Sequence, residues 1–207
     1  MKLQISFDIP DLEQAVEIAK QVTEYADIIE VGSLLILNHG IYAIKTFRNA
    51  FPNQVILADA KIVDRGKDAT TLFAKADADW ITVMSGTHKN VIHTACTNAH
   101  ALNKKVMLDL IDAPSIGQFA MEAKNLGADA LLFHEPYEEE SLTFLDKWEM
   151  VHGNTDLPIF VSNNINRNNI NKIMEINPEG IIIGKSITDA QDPAAEAKFF
   201  KEVCSKN

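Results

Sequence analysis

Short runs rich in valine, isoleucine and leucine recur along the chain about every 25 residues, the length of one strand, one helix and two loops. Eight such runs occupy residues 3–7, 27–31, 54–58, 80–84, 105–108, 130–133, 158–161 and 180–183. Several are apolar at nearly every position instead of alternating, the pattern of parallel strands covered on both faces. Apolar residues at helical spacing fill the gaps. Asp11 stands where its carboxylate caps a helix over 11–20, and a helix over 115–124 follows Pro114. Asp192-Pro193 opens a last helix with proline in its first turn, and Gly127 closes one that leads into a strand. Residues 75–79 hold an equivalent place earlier in the chain. One helix per strand, eight times over in about 200 residues, predicts a (β/α)8 barrel. An open doubly wound sheet is the competing architecture. No shift in composition marks a linker, so residues 1–207 are expected to form one domain.

Composition narrows the class without naming the chemistry. An apolar fraction of 46% with no low-complexity tract excludes a disordered chain. The longest apolar stretches, about 4–8 residues, are far short of the ~20 a spanning helix needs. Residues 1–5 carry no hydrophobic signal region. Cys96 and Cys204 stand in unrelated contexts, which argues against a disulfide framework or zinc site and for the reducing cytosol. A net charge of −10 repels nucleic acid and anionic membranes. It does not exclude a small phosphorylated substrate, because a local cluster of backbone N–H groups can hold a phosphate.

In a barrel of this kind the site is built at the carboxyl ends of the strands. There the chain places Asp8 after the first run, Glu30 within the end of the second, and Asp59 and Lys61 after the third. Asp109 follows the fifth run and His134 the sixth. A buried carboxylate is costly unless paired or bound to a cation, so their convergence on one mouth points to chemistry. Asp112, Asp129 and the acidic run 138–140 read instead as caps and a solvated helix start. His88, His93, His100 and His152 read as helix or loop residues without a role, and Met84, Met107, Met121 and Met174 as core filler. Asp59 and Lys61, two apart on an extended strand, point to one face, where their side chains can meet. A lysine between carboxylates stays protonated and can stabilise developing negative charge. Glu30 and Asp59 supply hard oxygen ligands that suit Mg²⁺ better than zinc.

Asp59-Ala60-Lys61-Ile62-Val63-Asp64 resembles the D-x-K-x-x-D motif of the orotidine monophosphate decarboxylase superfamily. Over residues 1–203 the chain is most similar to one branch of it, the 3-hexulose-6-phosphate synthases and 3-keto-L-gulonate-6-phosphate decarboxylases. Lys2-Leu3-Gln4 and the segments 27–33, 57–62, 127–129 and 190–194 are supporting matches. The resemblance implies a Mg²⁺-dependent carbon–carbon lyase that acts on a sugar phosphate through a 1,2-enediolate. By that resemblance Glu30 and Asp59 bind Mg²⁺, Lys61 hydrogen-bonds the enediolate and Asp8 contacts the substrate. Asp64 reaches across a homodimer interface into the partner's site, and His134 moves the proton.

Two features favour the synthase branch: Asp109 stands where the decarboxylases carry Glu, and no Arg follows His134 within 135–138, where Tyr137 fits the synthase pattern. The reading is an aldolase that condenses formaldehyde with D-ribulose 5-phosphate. Its alternatives are decarboxylation of 3-keto-L-gulonate 6-phosphate and a sugar-phosphate-binding homologue without turnover. Three departures stand out. The phosphate loop after the seventh strand, usually G-G-I, is Asn163-Asn164-Ile165, although Asn tolerates left-handed backbone better than other non-glycine residues. Gly184-Lys185 after the eighth strand keeps a glycine and adds a cation, so Asn163, Asn164, Gly184 and Lys185 are expected to hold the phosphate. Glu135-Pro136 replaces a small flexible pair beside His134, and the loop after the sixth strand is shorter than usual.

Overall fold

Strands that are apolar on both faces need an apolar layer on each side, and a barrel wrapped in helices supplies both. The computed structural model describes residues 1–136 and 143–205. Its strands are β1 (Lys2–Phe7), β2 (Ile28–Val31), β3 (Ile56–Ile62), β4 (Trp80–Met84), β5 (Lys105–Asp109), β6 (Ala130–Phe133), β7 (Ile159–Ser162) and β8 (Gly180–Ile183). They pair in parallel in chain order, and β8 closes on β1 with Ile181 opposite Leu3. That closure excludes the open sheet. Alternate strand residues such as Leu3, Ile5, Ile29, Val31, Ile81 and Val83 face the helices. Ile28, Leu57, Met107, Leu132, Phe160 and Ile182 form a separate inner cluster that fills the barrel. Among the described residues no helix is long and apolar enough to cross a membrane.

The predicted caps form. Asp11 accepts a hydrogen bond from the Gln14 N–H before the helix Leu12–Val22, and Asp192 accepts one from Ala195 before Pro193–Cys204. Gly127 closes Ile116–Leu126 with φ +97°, and Asp77 takes the corresponding left-handed place after Gly66–Lys75 with φ +68°.

Four expectations need correction. One helix per unit is too few, because β2 and β3 are joined by two, Ser33–His39 and Ile41–Ala50, parted at Gly40 with φ +60°. A short helix, Lys185–Thr188, likewise precedes the last one. Second, β3 does not stop at 58 but runs on through Asp59 and Lys61 to Ile62. Third, Asp112 and Asp129 cap no helix. Asp129 accepts the Val106 N–H at 2.8 Å, just as Asp27 accepts Leu3 N–H at 2.8 Å and Asp79 accepts Ile56 N–H at 2.9 Å. Each of these aspartates stands just before an even-numbered strand and ties down the start of the strand before it. Asp112 accepts the Gly86 N–H at 2.8 Å. Fourth, Met121 is not core filler but is exposed on the solvent side of its helix, unlike the buried Met84 and Met107. Tyr137 and residues 138–140 lie outside the described residues.

The amino-terminal end of the barrel is held by Arg48. Its guanidinium donates to the carbonyls of Phe51, Pro52, Gln54 and Asp77, and to the Asp79 carboxylate at 2.5 Å. A lysine has one point of donation where the guanidinium has a planar fork, so most of these carbonyls would lose their partner. Arg48→Lys is therefore expected to cost about 2 kcal/mol, read as a lower urea midpoint at unchanged slope.

Candidate active site

Above the apolar plug, the next inward positions of the barrel are polar. Gln4, Glu30, Asp59, Thr82 and Asp109 come from β1 to β5 in turn, and all five are buried. This layer is the floor of the site.

On β3 the chain makes an irregular turn of register. Ala58 pairs with Ile81 and Ile62 with Val83, so four steps along β3 match two along β4. The slack is taken up at Lys61, whose φ of +43° is left-handed. The simple alternation expected of an extended strand therefore does not apply, yet the side chains still meet. Lys61 Nζ lies 3.3 Å from Asp59 Oδ2 and 3.0 Å from Asp109 Oδ2. Thr82 fixes the bulge from β4: its hydroxyl donates to Asp59 Oδ1 at 2.9 Å and accepts the Lys61 N–H at 2.9 Å.

Asp109, fully buried at the end of β5, gathers three partners. Besides Lys61 they are the Ile111 N–H at 3.0 Å and His134 Nε2 at 2.8 Å, both on Oδ1. Burial pushes its carboxyl up, but His134 and Lys61 more than offset that and hold it down at about 2. Burial works against the Lys61 ammonium, yet Asp59 and Asp109 outweigh it and raise its pKa. It stays charged.

The other end of the layer behaves in the opposite way. Burial, with the charges of Asp59 and Asp8, pushes Glu30 up to about 8 against a hydrogen bond from Gln4 Nε2 at 2.5 Å. Burial raises Asp59 as well, with Lys61 opposing and Asp109 adding to it. Glu30 and Asp59 thus form a carboxylate pair that one ammonium does not neutralise. A divalent cation fits that imbalance, and the hard oxygen donors fit Mg²⁺. Among the described residues no cluster of three or more metal-ligating side chains occurs. Two carboxylates completed by water and substrate oxygens are an ordinary magnesium arrangement.

Asp8 follows β1 at the rim and accepts from Ser6 Oγ at 3.0 Å and the Leu34 N–H at 3.2 Å. A Cβ on Gly32 would sit 2.4 Å from the Asp8 carboxyl, so only glycine admits this placement. Asn163 is buried, Asn164 is left-handed with φ +38°, and Ser186 Oγ donates to the Ile165 carbonyl at 2.6 Å. That bond brings the 163–165 turn against the start of the short helix Lys185–Thr188, next to Gly184. Asp64 lines a cleft that Lys61 also lines. It is exposed after β3, where its carboxylate accepts the Arg65 N–H at 2.7 Å beside this cleft of about 430 Å³. Beyond His134, Glu135 pairs with Lys147 at 3.2 Å across a second cleft, of about 670 Å³.

Gln4, Ser6, Gly32 and Thr82 were not foreseen as site residues. Gln4 and Thr82 do carry a signal, since each is polar inside an otherwise apolar run at a position that faces the barrel interior.

A model of the orotidine 5′-phosphate decarboxylase/HUMPS family matches residues 1–200. The chain belongs to this family. It is 30% identical to the 3-hexulose-6-phosphate synthase of Bacillus subtilis, with 98% of each chain covered. The crystal structure of the Salmonella typhimurium 3-hexulose-6-phosphate synthase superposes with a TM-score of 0.94 at 30% identity, covering 100% of this chain and 99% of that one. The 3-keto-L-gulonate-6-phosphate decarboxylase of Vibrio cholerae follows at 0.85 and 26%, covering 98% and 97%. The family's members named here are carbon–carbon lyases, and this chain, in which the buried Asp59 and Asp109 pair with the partly exposed Lys61 and His134, is a lyase of this class.

Proposed function

We propose that this lyase is a 3-hexulose-6-phosphate synthase that condenses formaldehyde with D-ribulose 5-phosphate. The observation that carries the reading is Asp109 holding an ammonium on one oxygen and an imidazole on the other. Enediolate chemistry needs both groups side by side: a cation for the oxyanion and a group that moves the proton.

In this reading Asn163, Asn164, Gly184 and Lys185 hold the substrate phosphate, and Asp8 orients its hydroxyls. His134 takes a proton from C1 of ribulose 5-phosphate, and Lys61 hydrogen-bonds the enediolate oxygen that results. C1 then attacks the formaldehyde carbon, forming the new C–C bond while the aldehyde oxygen receives the proton back. Mg²⁺, held by Glu30 and Asp59, supplies Lewis-acid stabilisation of the enediolate oxygens when bound. Asp109 keeps the imidazole and ammonium in register throughout. Asp64 completes the site of a second copy in a homodimer. Val63 and Leu72, exposed by 58% and 51% beside it, supply apolar surface for that contact.

Formaldehyde consumption that requires both ribulose 5-phosphate and Mg²⁺, and that EDTA abolishes, is the expected result. No consumption, with CO₂ released from 3-keto-L-gulonate 6-phosphate, would assign the decarboxylase activity instead. Binding of either sugar phosphate without turnover would leave a non-catalytic binding protein.

A further inference from the structure

The 163–165 turn lacks the glycines that make such a loop easy to bend, and the residues after it compensate. Asn164 is left-handed with φ +38°, a conformation that costs a non-glycine residue free energy unless its surroundings hold it. Two side chains do so. Asn166 Nδ2 donates to the Asn164 carbonyl at 2.9 Å, and Asn169 Nδ2 donates to the same oxygen at 3.1 Å.

The two donors are themselves locked. Asn169 Oδ1 accepts the Asn166 N–H at 2.8 Å, and Asn166 Oδ1 accepts the Asn168 N–H at 2.9 Å. Each amide therefore has its oxygen anchored on the backbone and its NH₂ group aimed at one carbonyl. On the far side, Ser186 Oγ holds the next carbonyl, that of Ile165, at 2.6 Å. Arg167 leaves the cluster to form a two-point pair with Glu196 on the last helix, with both oxygens 3.0 Å from Nε.

The consequence follows from peptide geometry. Among the described residues every peptide bond is trans, so the C=O and N–H of one peptide unit point in opposite directions. Holding the Asn164 carbonyl against Asn166 and Asn169 turns the Ile165 N–H away from them. We propose that Asn166 and Asn169 are positioning residues of the phosphate loop, whose amides preform an N–H cradle for the phosphomonoester of the substrate. Side-chain hydrogen bonds in this chain do the work that glycine flexibility would otherwise do. The inference rests on the phosphate assignment made under the proposed function and adds residues outside it.

The test measures binding of inorganic phosphate and of ribulose 5-phosphate by calorimetry, alongside KM and kcat. Asn166→Ala/Asn169→Ala is expected to weaken both ligands about tenfold and raise KM to match, while kcat falls less than about twofold. Adding Asn164→Gly to that double variant is expected to recover most of the lost affinity, because glycine occupies the left-handed region without help. A merely structural role would lower thermal stability and would not be rescued in this way. Unchanged phosphate affinity in the double variant, with wild type binding normally, overturns the proposal and leaves the lyase reading intact. Loss of affinity that Asn164→Gly does not restore also overturns it. Wild type that binds neither ligand removes the phosphate assignment and this inference together.

Discussion

Glu30→Gln is expected to raise stability while abolishing turnover. Glu30 is buried beside Asp59 and Asp8, and its carboxyl is pushed up to about 8 from an ordinary 4.5, burial being the largest cause. A carboxyl whose pKa is higher folded than unfolded binds its proton more tightly in the fold. Stability therefore falls as pH rises from about 4.5 to about 8, and the full cost is reached only above that window. Near neutral pH the penalty is on the order of 3 kcal/mol. Glutamine is nearly isosteric, keeps an oxygen for the Gln4 amide and carries no charge. In EDTA the variant should unfold at higher urea than wild type at pH 8, and the two should converge below about pH 4.5. Added Mg²⁺ should stabilise wild type by mass action and leave Glu30→Gln almost unmoved. Activity should drop at least about a thousandfold, the scale on which an electrostatic stabiliser of the reacting oxygens acts. A variant less stable than wild type at pH 8 would mean that Glu30 is not a strained carboxylate.

The same physics explains which parts of this molecule were legible in its sequence. The barrel was readable because buried parallel strands cannot alternate, so Ala130–Phe133 and Gly180–Ile183 stand out as solid apolar runs. Asp8, Glu30, Asp109 and His134 were readable because each sits at or just past the end of such a run, where this fold builds its sites. What hid was polarity inside the runs. Gln4 and Thr82 look like breaks in a hydrophobic pattern until closure of the barrel gives it an interior with a polar layer. For β3 the difficulty was sharper: Asp59 and Lys61 are the two residues that make the strand read as finished, and the strand continues through both. Its left-handed Lys61 depends on a hydroxyl from β4, a contact between positions 21 residues apart. The aspartates 27, 79 and 129 were opaque for the related reason that their partners are N–H groups near the starts of neighbouring strands, not of the next helix. The Asn164 clamp was only half visible, since tolerance of left-handed backbone is a property of asparagine, whereas the amides that enforce it belong to Asn166 and Asn169.

Asp109→Asn is the second substitution expected to have a large effect, and its stability change has the opposite sign. Asp109 has no exposure, and its oxygens accept from Lys61, His134 and the Ile111 N–H. Burial alone would raise its carboxyl, but His134 and Lys61 bring it down to about 2. A depressed carboxyl contributes stability above its unfolded pKa, near 3.8, and that contribution disappears as pH falls toward 2. Asparagine offers one acceptor to donors that now have two, so whichever way its amide turns, an NH₂ group faces Lys61 or His134. If it faces His134, the imidazole must present a lone pair at Nε2, which reverses the tautomer that Asp109 enforces. Turnover is expected to fall by about 10²–10⁴, as when the carboxylate that orients a catalytic histidine becomes an amide. Stability at pH 7 is expected to fall by about 2 kcal/mol, with the difference vanishing below about pH 2. Urea titrations of the two variants across pH would then diverge in opposite directions from wild type, although each replaces one carboxyl by an amide in the same layer. Such a split cannot come from net charge; it requires that Glu30 be left short of a counter-ion within the chain while Asp109 is over-supplied. Parallel shifts in the two variants would dissolve that division and with it the assignment of Glu30, rather than Asp109, to the cation.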